Sequence, residues 1–564
     1  AAASSAHCLS LQQTLHLENT TILNVTYLQY VAAPKNMTTP GICQSTAPFT
    51  SAPLCHVQFV INTTSTSAVH AEAWLPDTWF GRFMATGNGA STDVRIDYIS
   101  LDYGASLHFA TFGTDNGHDG PSGLPFLEVI NDFAFRAVHV EAVIGKQIVQ
   151  VYYETPAAKS YYLGCSTGGR QGTQAALKFP GDFDGILAGA PATDFNHLTG
   201  WSGLLTHFVG ATDPSMTAVD TSPKFIPPPL WTVVSTEILR QCDALDGLVD
   251  GIITEPDDCD FRPDTLACRG NQTDNCLTPP QVEALKNIYS PILGLQGQLI
   301  YPRYSPGAEA DPIATALIFG GAFFPFTADW ERYVILNVTE HNFTNFGLPD
   351  IVLLFDKINA GGIVTFNGDL SAFRDRGGKF ITYHGDRIIS STNSKRVYDL
   401  ISQTLTMPSF DDFYRLFLIQ GMSHCFGGIG APAFGQGISP GLNIVNTSSH
   451  NILLALVDWV EGGVAPATII GSGANNTERT HCRYPMKSVQ RFGVCLCPAQ
   501  GMNSLNGNIL FSEVLQIHTY LLLGMCIVLK LNLLFFDMPT GDLRSGPEIQ
   551  AWDGSRASHS STYG

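Results

Sequence analysis

"YYLGCSTGGRQG", residues 161–172, is the stretch whose reading decides the fold. Gly164, Ser166 and Gly168 form G-x-S-x-G. That pattern carries chemistry only between a strand and a helix, where a tight turn presents the serine hydroxyl and glycines admit the crowded backbone. Here "SYYL" reads as the strand before it. "GRQGTQAALKFP" reads as the helix after it, stopped near Pro180. Cys165 stands directly beside the serine, and a thiol next to a nucleophile needs an explanation.

Working outward, "RFMATG" and "HFATFGTD" are strand candidates, and "FDGILAGAPA" is a buried strand followed by a loop. "PFLEVINDFAFRAVHVEAVIGKQIVQVYY" has apolar residues at helical spacing and predicts one long helix. Strand-helix-strand alternation argues for an α/β sheet. Residues 1 to about 70 read as an irregular Thr/Asn-rich arm with short strand-like runs such as "VQFVI". From 195 to 370 the rhythm breaks into Pro, Gly and Asp-rich sequence. It returns with "KFITYHG", "STNSKRVYDLISQTL", "YRLFLIQGMSHC" and "NILLALVDWVEGG". The division expected is 1–194 as arm and first part of the catalytic domain, 195–370 as an insertion, 371–493 as its second part, and 494–564 as an atypical tail.

A nucleophilic serine needs a base and an acid that orients it. On this fold the chain order is serine, acid, histidine. Asp386 follows the strand "KFITYHG", and His424 sits in "GMSHCFGG" after "RLFLI". Each alone reads as an ordinary loop residue, but their order and strand-end placement make them the candidate acid and base. Cys425 follows His424 as Cys165 precedes Ser166. If serine and histidine are hydrogen-bonded, their neighbours are close enough to bridge. A Cys165–Cys425 disulfide would then staple the two loops, closing a circuit of about 260 residues where chain-entropy models give the largest effect. On this reading the thiol is a staple and not a rival nucleophile.

Composition bounds the rest. The chain has 564 residues, 44% apolar and 14% charged, which is globular and longer than one ordinary core. A net charge of −19 repels nucleic acid and anionic membrane, so neither is an expected partner. Among thirteen cysteines, Cys242/Cys259 and Cys268/Cys276 are close pairs without zinc-site spacing, which favours disulfides. Asn19, Asn24, Asn36, Asn62, Asn271, Asn337, Asn342, Asn446 and Asn475 each begin N-x-S/T, which argues for glycosylation in the secretory pathway. The first residues, "AAASSAHCLS", read like a mature protein after removal of a signal peptide.

The Cys-Ser…Asp…His-Cys arrangement resembles the tannase and feruloyl esterase family of secreted fungal hydrolases. The likeness runs from about residue 8 to 492, through "GRFMATGNGA", "FGTDNGHDG", "VIGKQI", "GCSTGGRQG", "FPGDFDGILAGAPA", "CDALDGLVDGII", "TYHG" and "GMSHC". It implies an α/β-hydrolase fold with a large lid inserted between nucleophile and acid, and cleavage of phenolic-acid esters. It places backbone N–H groups near Gly89 or Ala90, in "TGNGA", beside that of Thr167 as an oxyanion hole. Read by itself, the acidic loop "CDALDGLVDGI" is a solvated turn. The resemblance implies a structural calcium held there by Asp243, Asp246 and Asp250 with the carbonyls of Leu248 and Ile252. It also leaves Cys8–Cys55 as the reasonable N-terminal bridge.

The chain departs from the family pattern in three places. The acid loop "HGDRIIS" is two residues shorter, which puts Asp386 closer to its strand end. No cysteine lies between Cys55 and Cys165, so Cys43 lacks the family's partner. The family's closing segment stops near 490–493. Cys495 or Cys497 would have to replace the family's partner for Cys482. Residues 494–564 read as a gene-end artefact. Within them, 514–536 is apolar enough to raise a membrane span, but Gln516, His518, Lys530 and Asn532 interrupt it, and 28 further residues rule out a GPI tail. The expectation is a secreted serine carboxylesterase acting on hydroxycinnamate esters of plant cell walls. The alternatives are a tannase acting on galloyl esters and an inactive glycosylated binding protein of the same fold.

Overall fold

Strand-forming runs and amphipathic helices alternate along the chain, and in the computed structural model they build one nine-stranded sheet. The structure describes residues 5–29, 35–38, 44–47, 50–89, 96–118, 126–215, 222–385, 389–405, 410–437, 445–489 and 494–496. In chain order the strands are β1 (Thr20–Leu28), β2 (Leu54–Asn62), β3 (Ala68–Pro76), β4 (Arg82–Thr86), β5 (Phe109–Thr114), β6 (Lys159–Cys165), β7 (Gly185–Gly189), β8 (Lys379–His384) and β9 (Tyr414–Leu418). Across the sheet they run β1-β2-β3-β5-β4-β6-β7-β8-β9. The pairs from β1 to β5 are antiparallel. Every pair from β5 to β9 is parallel.

Helices cover both faces of the parallel part, so its strands are buried throughout and rich in apolar residues. Alternate side chains enter two cores. Phe83, Tyr162, Ile186 and Phe380 pack with Ala142 and Ile148 on one face. Met84, Tyr161, Leu187 and Ile381 pack with Leu453, Leu456 and Trp459 on the other. The predicted long helix is one run, α1, but not uniformly α: Leu127–Asn131 is α-helical, Asp132–Arg136 is a π turn, and Ala137–Tyr153 is α-helical again. Helix α2 (Thr167–Lys178) follows β6, and α3 (Phe195–Phe208) follows β7. Helix α4 (Ser391–Thr404) follows β8. Helix α5 (Ile452–Gly462) is capped by the Asn451 side chain, which accepts the Leu454 N–H at 3.1 Å, and ends at Gly463 with φ 72°.

The N-terminal arm is more ordered than its sequence suggests. β1 and β2 join the main sheet, and the Cys8–Cys55 disulfide, 5.4 Å between Cα atoms, ties the Ser5–Thr14 helix to β2. β1 is an edge strand on which Val25 and Leu28 are buried, so it lacks the clean alternation that marks a strand from sequence.

Residues between β7 and β8 form a lid with its own aromatic core, including Phe195, Trp201, Trp330, Phe343 and Phe346. The close cysteine pairs are both disulfides here, Cys242–Cys259 and Cys268–Cys276. Glu331 is 1% exposed, with Asp350 nearby and His341 Nε2 3.7 Å from its Oε1. Burial, with a smaller contribution from Asp350, pushes its carboxyl up to about 8. Folded protein therefore holds this proton between about 4.5 and 8 while unfolded chain has lost it, and stability falls as pH rises through that window. Glu331→Gln is expected to flatten the loss, which cannot exceed about 1.4 kcal/mol per pH unit for one proton. Thermal midpoints of both proteins from pH 5 to 8 check it; parallel curves would exclude the assignment.

Candidate active site

The parallel strands leave their carboxyl ends on one edge, and the chain reverses its direction of travel across the sheet between neighbours β4 and β6. Clefts at such a switch point are where α/β sheets bind ligands. β6 ends at Cys165, Ser166 forms the turn, and α2 starts at Thr167. Ser166 has φ 63° and ψ −120°, a conformation that L residues rarely hold and that concentrates at functional sites. Its N–H donates to the Gly189 carbonyl at 2.9 Å, and its carbonyl accepts from Arg170 and Ala192, each at 3.1 Å.

The glycines of the motif are required by close backbone approach. A Cβ on Gly164 would lie 2.8 Å from the Gly168 carbonyl, and one on Gly168 would lie 3.1 Å from the Asn88 carbonyl oxygen. The start of α2 therefore rests against both its own strand and the loop after β4. Thr167 is buried at the helix N-terminus, where the N–H has no intrahelical acceptor and the helix dipole favours negative charge. In the loop, Gly87 N–H donates to the Leu163 carbonyl at 2.8 Å. Gly89 is exposed, with open space where a Cβ would stand. Ala90 lies outside the described residues.

His424 is half-buried in the loop after β9. That loop is tightly wound: Ser423 N–H donates to Gly427 at 2.9 Å, Phe426 N–H to His424 at 2.9 Å, and Cys425 has φ 68°. The Cys165–Cys425 disulfide is present, with Cα atoms 5.9 Å apart. It places the residues bearing the candidate nucleophile and base on either side of one covalent link. Asp386 lies outside the described residues. The residue before it, Gly385, is packed so that a Cβ would sit 2.6 Å from the Ser423 carbonyl oxygen, so the acid and histidine loops start in contact.

His384, which the sequence reading did not single out, closes β8. It is fully buried; its Nε2 faces the Ile389 carbonyl at 3.1 Å and its Nδ1 faces Ser394 Oγ at 2.7 Å. A carbonyl only accepts, so Nε2 carries the proton and Nδ1 accepts from the serine. Burial pushes its pKa down to about 3, with the charge of His424 acting in the same direction. It is a neutral brace between the end of β8 and α4.

In the lid, Asp243, Asp246 and Asp250 share one loop. Asp246 accepts the Leu248 N–H at 2.9 Å, Asp250 the Ile252 N–H at 3.1 Å, and Asp243 the Gly251 N–H at 3.1 Å. The other Asp250 oxygen is paired with Arg479. Hard oxygen donors fit calcium. Among the described residues, however, no three His, Cys, Asp or Glu side chains gather around a metal-holding point.

The family profile for tannase and feruloyl esterase matches residues 55–345 and 353–494. A probable feruloyl esterase B-2 from Aspergillus terreus is 40% identical over 502 residues, covering 86% of this chain and 92% of that protein. The crystal structure of feruloyl esterase B from Aspergillus oryzae superposes with TM-score 0.78 at 38% identity, covering 86% of this chain and 96% of that one. A tannin acyl hydrolase from Aspergillus niger shares the fold, with TM-score 0.66 at 21% identity over 88% of this chain and 95% of that one.

Replacing Cys165 and Cys425 together with alanine removes the staple without leaving a free thiol. Turnover is expected to fall about 10²-fold, because a displacement near 1 Å is enough for that loss. Steady-state kinetics on the secreted double variant checks this; undiminished turnover would show that the loops hold their places without the bond.

Proposed function

The chain belongs to the tannase and feruloyl esterase family, and from that premise we propose that it hydrolyses hydroxycinnamate (feruloyl-type) esters of plant cell-wall polysaccharide. Ser166 Oγ attacks the ester carbonyl while His424 takes its proton. The resulting oxyanion is held by the N–H groups of Thr167 and of Gly89 or Ala90, and Asp386 orients the imidazole. His424 then protonates the departing alcohol. Water, deprotonated by His424, attacks the acyl-enzyme and releases the acid. The observation that carries this reading is the strained Ser166 turn at the end of β6, joined by a disulfide to the loop of His424.

The feruloyl reading is favoured over the galloyl one by the 40% identity to proteins named as feruloyl esterases. Likeness to the tannin acyl hydrolase, at 21%, speaks to fold alone. Secretion is supported by the disulfides and by the sequons: Asn19, Asn24, Asn62, Asn271, Asn337, Asn342, Asn446 and Asn475 are all exposed, and Asn36 has no described side chain. Among the described residues no helix is long and apolar enough to cross a membrane; residues 514–536 lie outside them.

Calcium in the lid is supported by the donor chemistry of Asp243, Asp246 and Asp250 with the carbonyls of Leu248 and Ile252. Binding there requires Asp250 to exchange Arg479 for the ion. The ion would supply a structural cross-link within the lid and no step of the reaction.

Two measurements test these proposals. Methyl ferulate is expected to turn over faster than methyl gallate, and Ser166→Ala is expected to lose at least about 10⁴-fold in kcat. A folded wild type that cleaves neither ester would establish the inactive binding protein instead. Calcium is expected to raise the thermal midpoint of wild type after chelator treatment and to leave Asp246→Asn unmoved. Equal midpoints with and without calcium in wild type would remove the site.

A further inference from the structure

Gln171 lies on α2, five residues after Ser166, and is 2% exposed. Its side chain joins segments that are far apart in sequence. Its Oε1 accepts the backbone N–H of Asn88 at 3.2 Å. Its Nε2 donates to Asn116 Oδ1 at 2.8 Å. The orientation of the amide is settled by chemistry: a backbone N–H can only donate, so the atom facing Asn88 is the carbonyl oxygen, and the nitrogen turns to Asn116. Tyr162, on β6, donates its hydroxyl proton to the Gly168 carbonyl at 2.7 Å and lies 3.4 Å from Gln171 Oε1. Asn88 is buried as well, and its Nδ2 donates to the Thr114 carbonyl at the end of β5.

This side chain therefore spans the gap between the helix that begins at the nucleophile and the loop that follows β4. An amide is suited to the place because it offers one acceptor and one donor in a plane. An aliphatic residue of the same length would leave the Asn88 N–H and the Asn116 carbonyl group without these partners in a buried site. The Asn88 N–H sits one residue before Gly89, so the bond from Gln171 fixes the peptide that leads into it.

We propose that Gln171 is a positioning residue for the oxyanion hole: it sets the loop bearing Gly89 against the helix bearing Thr167, and so fixes the separation of the two N–H groups. The inference rests on the esterase reading above. Its effect belongs to the transition state, in which charge develops on the carbonyl oxygen, and not to substrate binding.

The test compares Gln171→Leu, Gln171→Glu and Asn88→Ala with wild type on methyl ferulate. Phenylboronic acid serves as the probe of a tetrahedral adduct on Ser166. Gln171→Leu is expected to lower kcat about 10²-fold, the scale of one lost oxyanion donor, with KM within about threefold. Its affinity for phenylboronic acid is expected to fall by a similar factor. Gln171→Glu keeps an acceptor for Asn88 and is expected to lose less than Gln171→Leu. A folded Gln171→Leu whose kcat stays within about threefold of wild type, or whose loss lies in KM, overturns the inference. If Gln171→Leu does not fold, Asn88→Ala decides, since it frees the same loop from Thr114: a loss in kcat alone supports the inference and an unchanged kcat overturns it. Fluorophosphonate labelling of wild type separates the two levels. No label on Ser166 defeats the esterase reading itself, whereas a labelled Ser166 with an indifferent Gln171→Leu defeats this inference alone.

Discussion

The start of α2 lies backbone against backbone on β6 and on the loop after β4, and the rest of the site is built around that crossing. The approach leaves no room for side chains at Gly164 and Gly168. It forces Ser166 into a positive-φ turn, which lifts its side chain clear of a sheet whose neighbouring residues are buried. The strain of such a turn, of order 1–3 kcal/mol, persists only where surroundings over-determine it. Here they do so with three backbone hydrogen bonds on Ser166 and with packing on both sides of the helix. Loosening the crossing would move the nucleophile and the oxyanion donors together, because both belong to the same contact.

The far side of α2 is secured differently. Arg170 is 0% exposed, with its guanidinium over the rings of Phe133 and Phe195. It donates to the carbonyls of Phe133 and Ala134 at 2.9 and 2.8 Å. Those carbonyls lie in the π turn of α1, where the wider hydrogen-bond pattern leaves backbone groups to be satisfied from outside. Burial pushes Arg170 down to about 9, so at neutral pH it stays charged and its donors stay available. Phe195 in turn packs edge-on against Trp330 of the lid core at 5.0 Å. One cation thus joins the nucleophile helix, the π turn and the lid.

The parallel core was legible from sequence because its strands are short apolar runs followed by helices of clear period, and each falls where its pattern put it. Ser166 and its cysteine partner were legible for a stronger reason: two chemical pairs, Ser–His and Cys–Cys, point to the same two loops. Features made by residues from distant segments were not legible. Gln171, Asn88, Asn116 and Tyr162 are ordinary polar residues until the fold brings them together. His384 was quoted within "TYHG", but its role depends on Ile389 and Ser394. Arg479 meets Asp250 from 229 residues away, and no local pattern announces it. The π turn escaped because its apolar spacing differs little from that of an α-helix over a few residues. β1 escaped because an edge strand with two buried residues carries little pattern.

The position of the lid explains why a disulfide belongs beside the nucleophile. The insertion leaves the catalytic domain after β7 and returns before β8, so it separates in sequence the strand that ends at Cys165 from the loop that holds Cys425. Without a cross-link, Ser166 and His424 would depend for their separation on sheet pairing through β7, β8 and β9. Movement of a large lid against that edge would then reach the reacting atoms. The Cys165–Cys425 bond spans 260 residues and makes the distance between the two loops a local quantity again. The lid can therefore vary in sequence and shape, as substrate selection requires, while the geometry of proton transfer is set by two adjacent half-cystines.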